Sequence, residues 1–172
     1  MKIRLVLASA LLALVAPVVA ASASAATKAA VFDFELIDTS LDGVSGAKPE
    51  ETARLARASA QLKARLAASG QYELVDMSAK AEAAKAANLQ SCGGCDGAMA
   101  KDLGAKISFT ATVQKVSNLI LNLNVFVRDA ETGQAIFAMS VDIRGNTDES
   151  WTRGVDYLVK NQLLPGNFGA GK

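Results

Sequence analysis

The chain contains no histidine, two cysteines and three prolines, and aromatic residues make up 5% of it. The lack of histidine removes the commonest general base at neutral pH, the Ser-His-Asp and Cys-His nucleophile systems, and imidazole metal sites. Two cysteines cannot furnish a four-thiolate zinc centre. The pair Cys92-Gly93-Gly94-Cys95 is followed by Asp96, which excludes c-type haem attachment. Charge of one sign is also lacking. With 18 basic against 17 acidic residues there is no global electrostatic case for nucleic acid, and none is expected as a partner. What remains is a 172-residue chain, 51% hydrophobic, long enough for one self-sufficient core.

The first residues supply the compartment. Lys2 and Arg4 precede an apolar run from Leu5 to Ala20, and small residues follow at Ala21 to Ala26. A charged start, a hydrophobic stretch and a small-residue exit are the parts of a secretory signal peptide. The run is shorter than the roughly 20 residues that span a bilayer. Residues 1–25 are therefore expected to be a cleaved leader, 26–164 a single domain and 165–172 a flexible tail. The first cysteine is Cys92, so no lipid acceptor stands at the cleavage site. The expected location is the periplasm, without lipidation and without stable membrane insertion after cleavage.

Along the mature chain, the Val- and Phe-rich stretch from Thr27 to Asp38 reads as a strand, and the Gly- and hydroxyl-rich segment 39–48 as a loop. Pro49-Glu50-Glu51 opens a helix with acids at its positive end. Leu55, Ser59, Leu62 and Leu66 share one face of it, and Ser69-Gly70 stops it. A short strand (71–77), an alanine-rich helix from Ser78 to about Ala87 and the cysteine turn follow. Asp96 is placed to cap a short helix ending at Leu103-Gly104. Ile107–Val116, Leu119–Arg128 and Ile136–Arg144 then alternate apolar and polar residues with period two, which predicts an antiparallel meander with one covered face. Asn146, with Glu149 three residues on, opens a last helix whose buried stripe is Trp151, Val155 and Leu158; Gly154 within it suggests close packing. The predicted fold is α/β (α+β), order β-α-β-α-α-β-β-β-α, with a mixed sheet, a C-terminal three-stranded meander and helices on one face.

Three constellations carry candidate chemistry. Cys92 and Cys95 read first as a structural disulfide formed in an oxidising compartment. The alternatives are a thiol–disulfide exchange pair and free or metal-bound thiols. Exchange is opposed by the adjacent Asp96 and by the lack of a preceding strand and of a proline placed to face the pair. Asp38, Ser40 and Asp42 ahead of Gly43 resemble half of a calcium loop, but its twelfth position is Pro49 where a bidentate glutamate is wanted. The wet face of the meander is the broadest candidate. Thr110, Thr112, Gln114, Asn122, Asn124, Phe126, Asp142 and Arg144 offer hydroxyls, amides and one aromatic to a protein partner. No cofactor is expected.

The opening strand (AVFDFE from Ala30), the later YELVD from Tyr72, the run DLGAKISFTATV from Asp102 and the hairpin VRDAETG ending at Gly133 together resemble the TolB amino-terminal and CsgG-like domains. FDFELIDTS from Phe32 and RGNTDESW from Arg144 resemble an uncharacterised proteobacterial periplasmic family of unknown function. The resemblance implies a non-catalytic envelope adaptor working by protein–protein contact, with an envelope protein as partner. Readings from other classes are a thiol–disulfide exchanger using Cys92 and Cys95, and a cation-binding envelope protein. CsgG-type proteins are lipid-anchored pore formers, and this chain has no lipidated cysteine to match them.

Overall fold

A computed structural model describes residues 25–169. The proposed leader falls almost entirely outside them. Within them, the chain runs β1 (Thr27–Asp38), α1 (Pro49–Ala68), β2 (Tyr72–Leu74), α2 (Ala81–Ala86), α3 (Cys95–Asp102), β3 (Ile107–Lys115), β4 (Ile120–Asp129), β5 (Ala135–Arg144) and α4 (Asp148–Leu158). The strands form one sheet in the order β2-β1-β3-β4-β5. β1 is parallel to both β2 and β3, whereas β3, β4 and β5 form the expected antiparallel meander. None of the described helices is long and apolar enough to cross a membrane.

The two long helices share one face of the sheet, as the pattern predicts. Leu62 and Leu66 of α1, and Trp151, Val155 and Leu158 of α4, pack onto the inward row Val31, Phe109, Val113, Leu123, Val125 and Ile143. α4 lies unusually close to the strands. A Cβ on Gly154 would stand 2.5 Å from Leu123 Cδ1 and 2.6 Å from Ile143 Cγ2, so the glycine is the condition of that approach. The short helices behave differently. Ala100 of α3, with Leu89, Ala105 and Ala130, covers Ala30 and Phe32 on the opposite face. β1 is thus buried on both sides, which explains its near-continuous apolar run.

Two further details depart from the sequence reading. Leu119, expected in the inward row of β4, sits in the β3–β4 turn and is 73% exposed. The stretch expected to fray is docked as far as Gly169. Leu164–Gly166 forms a helical turn, Phe168 packs against Phe137 with ring centroids 4.7 Å apart, and its N–H donates to the Tyr72 hydroxyl. Burial against this segment raises the Tyr72 pKa above its ordinary value, with the Phe168 N–H pulling the other way.

Candidate functional site

Where β1 and β3 end side by side, Asp38 and Lys115 are register partners. Lys115 is 1% exposed and so is Glu51, which α1 delivers from its first turn. Lys115 Nζ lies 2.8 Å from Glu51 Oε1 and 3.1 Å from Asp38 Oδ2. All four carboxylate oxygens are engaged. Glu51 accepts the Lys48 N–H and the Asn146 side-chain amide. Asp38 accepts the N–H and hydroxyl of Ser40. Asn146 in turn accepts the Trp151 indole N–H and a guanidinium N–H of Arg54. Burial pushes both carboxyls up, but the hydrogen bonds from Ser40 and Lys115 on Asp38, and from Lys115, Lys48 and Asn146 on Glu51, hold both below the ordinary carboxylate range. Burial likewise pushes Lys115 down, and its two carboxylate partners hold it above the ordinary lysine value.

The calcium-loop candidates Asp38, Ser40 and Asp42 are engaged by other groups of the protein. Asp38 is taken by Lys115 and Ser40, and Asp42 by Lys48 at 3.0 Å and by the Asn118 amide. Among the described residues no group of three potential metal ligands converges. Asn146 does not begin α4 either. Thr147 caps that helix, accepting the Ser150 N–H, which frees Asn146 to bridge α4 and α1.

A second cluster explains the cysteine turn. Cys92 and Cys95 are disulfide-bonded, and α3 starts at Cys95 behind Gly94, which has φ +103°. Asp96 is not the cap. Its carboxylate turns to the sheet, accepting the Ser108 hydroxyl at 2.6 Å and Arg128 Nε at 3.0 Å. Arg128 crosses the first turn of α3 so closely that a Cβ on Gly97 would meet its Cδ at 2.8 Å. The Cys-Gly-Gly-Cys-Asp-Gly string is therefore a seat for the Arg128 side chain, held by the disulfide. Replacing both cysteines with serine is expected to cost about 2 kcal/mol, as for closing a loop of a few residues, and to leave the rest of the fold in place. Denaturant melts with unchanged slope would check this.

The polar row of the meander divides in two. On β3, Thr110 and Thr112 are 4% and 1% exposed. Expected on a partner-facing surface, they are instead withdrawn from solvent on the central strand of the sheet. The Asn124 amide donates to the Thr112 hydroxyl. The remaining residues stay accessible. Gln114, Asn122, Asn124 and Phe126 are half-buried, and Ser140, Asp142 and Arg144 are exposed. The Asn122 amide donates to Asp142 across the strands. The described helices leave this β4–β5 half uncovered.

At the level of the whole fold, the chain is similar to the LpoB C-terminal domain from Escherichia coli, with TM-score 0.51, 17% identity, and coverage of 72% of this chain and 87% of that one. It is similar to the lipoprotein GNA1162 from Neisseria meningitidis, with TM-score 0.50, 16% identity, and coverage of 80% and 96%. TolB from Acinetobacter baumannii aligns with TM-score 0.49 and 11% identity over 84% of this chain and 29% of TolB. The resemblance to CsgG rests on sequence pattern alone. No curated protein matches the chain by sequence. Residues 27–163, from the first residue of β1 to the segment that continues α4, match the DUF3280 family, described as protein of unknown function (DUF2380), and the chain belongs to that family.

Proposed function

We propose that the protein is an exported, non-catalytic component of the cell envelope that acts by protein–protein contact, with the uncovered β4–β5 sheet face as its contact surface. The observation that carries this reading is the state of that face. Asn122, Asn124, Phe126, Asp142 and Arg144 stand on two paired strands with no helix above them among the described residues. Amides and charges around one aromatic on a rigid sheet match the anatomy of a protein interface. The titratable clusters elsewhere support the same reading, since Asp38, Glu51 and Lys115 satisfy one another, as do Asp96, Ser108 and Arg128. The shared fold with the LpoB domain and with a lipoprotein is in keeping with an envelope role.

The test is capture by photo-crosslinking in the periplasm, with the crosslinker at Ser140 and the variant Phe126→Ala/Asn124→Ala beside the native chain. A specific adduct that falls at least about fivefold in the variant supports the face, since anchors of this kind contribute more than 1 kcal/mol each. An adduct unchanged by the variant removes the face from the interface.

A further inference from the structure

β5 is the last strand of the sheet, and its outer edge is open among the described residues. The Gly145 N–H donates to the Leu119 carbonyl, and Ile143 and Val141 are paired in the same register with Leu121 and Leu123. In an antiparallel ladder, alternate residues spend their backbone groups on the neighbour. Ala138, Ser140 and Asp142 therefore turn their N–H and C=O groups outward, as does Arg144, whose carbonyl already accepts the Ser150 hydroxyl. Beside that edge, on the helix side, lies a groove of about 640 Å³ lined by Met139, Val141, Ile143, Arg153, Gly154 and Tyr157, among others. Met139 and Val141 are only half-buried there, and Tyr157 is exposed.

These features select the kind of occupant. A row of outward backbone donors and acceptors at strand spacing is satisfied by another strand. An apolar floor beside it accepts the alternate side chains of that strand. The charges select further. Arg144 has no carboxylate partner among the described residues, and Arg153 is held only by an exposed pair with Glu149 one helical turn away, a contact of small value.

We propose that the β5 edge and its groove dock an extended segment of a partner protein as a sixth strand. Apolar side chains of the segment enter the groove at alternate positions, and an acidic one sits between Arg144 and Arg153. The proposal rests on the protein-contact reading above and extends it to the adjoining strand edge, which shares Asp142 and Arg144 with that face.

The experiment uses the mature chain and synthetic ten-residue peptides matching the length of β5. One alternates valine with threonine and carries glutamate at the Arg144 end; its twin carries lysine there. Amide hydrogen exchange is read residue by residue. The glutamate peptide is expected to slow exchange at Ser140 and Asp142 by about tenfold or more at saturation, and the lysine peptide to bind up to about fivefold more weakly. Ser140→Pro removes an outward N–H without touching the ladder to β4, so it abolishes the protection while the melt is retained. Arg153→Glu leaves every backbone group in place and reverses the preference between the peptides. Lack of protection along β5 at millimolar peptide overturns the proposal. So does concentration-dependent protection of the same amides in the protein alone, which would mark a second copy as the occupant. If the peptides fail while Phe126→Ala/Asn124→Ala still loses its adduct, the edge site falls and the contact reading stands; if no protein adduct forms at all, the contact reading falls.

Discussion

Replacing Lys115 with methionine is expected to lower the unfolding free energy by about 3–5 kcal/mol, a melting shift of roughly 10–20 °C for a domain of this size. The cation is the shared partner of Asp38 and Glu51, and all three side chains are withdrawn from water. Removing it leaves two carboxylates facing each other without compensation, which is far more costly than the net worth of the intact cluster. The double variant Lys115→Met/Glu51→Gln should recover part of the loss. A neutral amide at Glu51 keeps one of the two acceptor contacts, from Lys48 or from Asn146, and the carboxylate that remains, Asp38, keeps both contacts from Ser40. Denaturant unfolding of the two variants measures the difference; equal stability of native and Lys115→Met proteins would mean that the cluster is solvated.

The same cluster sets the pH dependence. Asp38 and Glu51 have folded-state pKa values below their unfolded values of roughly 4, so their contribution is present above pH 4 and is lost as pH falls through the lowered values. Lys115 lies above its unfolded value of about 10.4, so its contribution is complete below that pH and is lost as pH rises through the raised value. Stability from this site is thus flat between about pH 5 and 10. The alkaline loss should be smaller in Lys115→Met.

Trp151→Ala is the second large effect, with an expected cost of about 3–5 kcal/mol. The indole is 2% exposed within the main core, and its N–H donates to Asn146 Oδ1 at 3.0 Å. Trp151→Phe separates the two roles. It keeps most of the buried ring and removes the donor, while Asn146 retains Arg54, so the cost should fall to about 1–2 kcal/mol. Asn146 links the indole to Glu51 and so to Lys115. Lys115→Met and Trp151→Ala should therefore be non-additive by at least about 0.5 kcal/mol, although they lie on different elements. A double-mutant cycle giving strict additivity would show that the network is not a unit.

Local pattern made much of this architecture legible, and the reasons are visible residue by residue. Period-two alternation identified the inward rows of β3, β4 and β5, because a strand with one covered face must alternate. Gly154 within an amphipathic stripe signalled close packing, and the close approach to Leu123 and Ile143 is there. What depended on sheet order stayed hidden. Thr110 and Thr112 belong to the polar row, yet they are buried because β3 lies between β1 and β4. Lys115 reads as an ordinary strand-end cation until its register with Asp38 and the arrival of Glu51 are known. Arg128 reads as a hairpin residue, and only its passage over Gly97 ties it to the cysteine turn. A signal for these long-range pairs was present only as polar residues standing at strand ends and in the first turn of a helix. Short-range rules assigned Asp96 and Asn146 to caps, but both were recruited by partners distant in sequence.

Export is the premise on which the contact reading depends, and the mass and location of the protein in its native host test it most directly. The account predicts a periplasmic product that begins near Ala26 and whose Cys92 and Cys95 resist alkylation until a reductant is added. A cytosolic product that retains residues 1–25 and alkylates at both cysteines without reduction would contradict it.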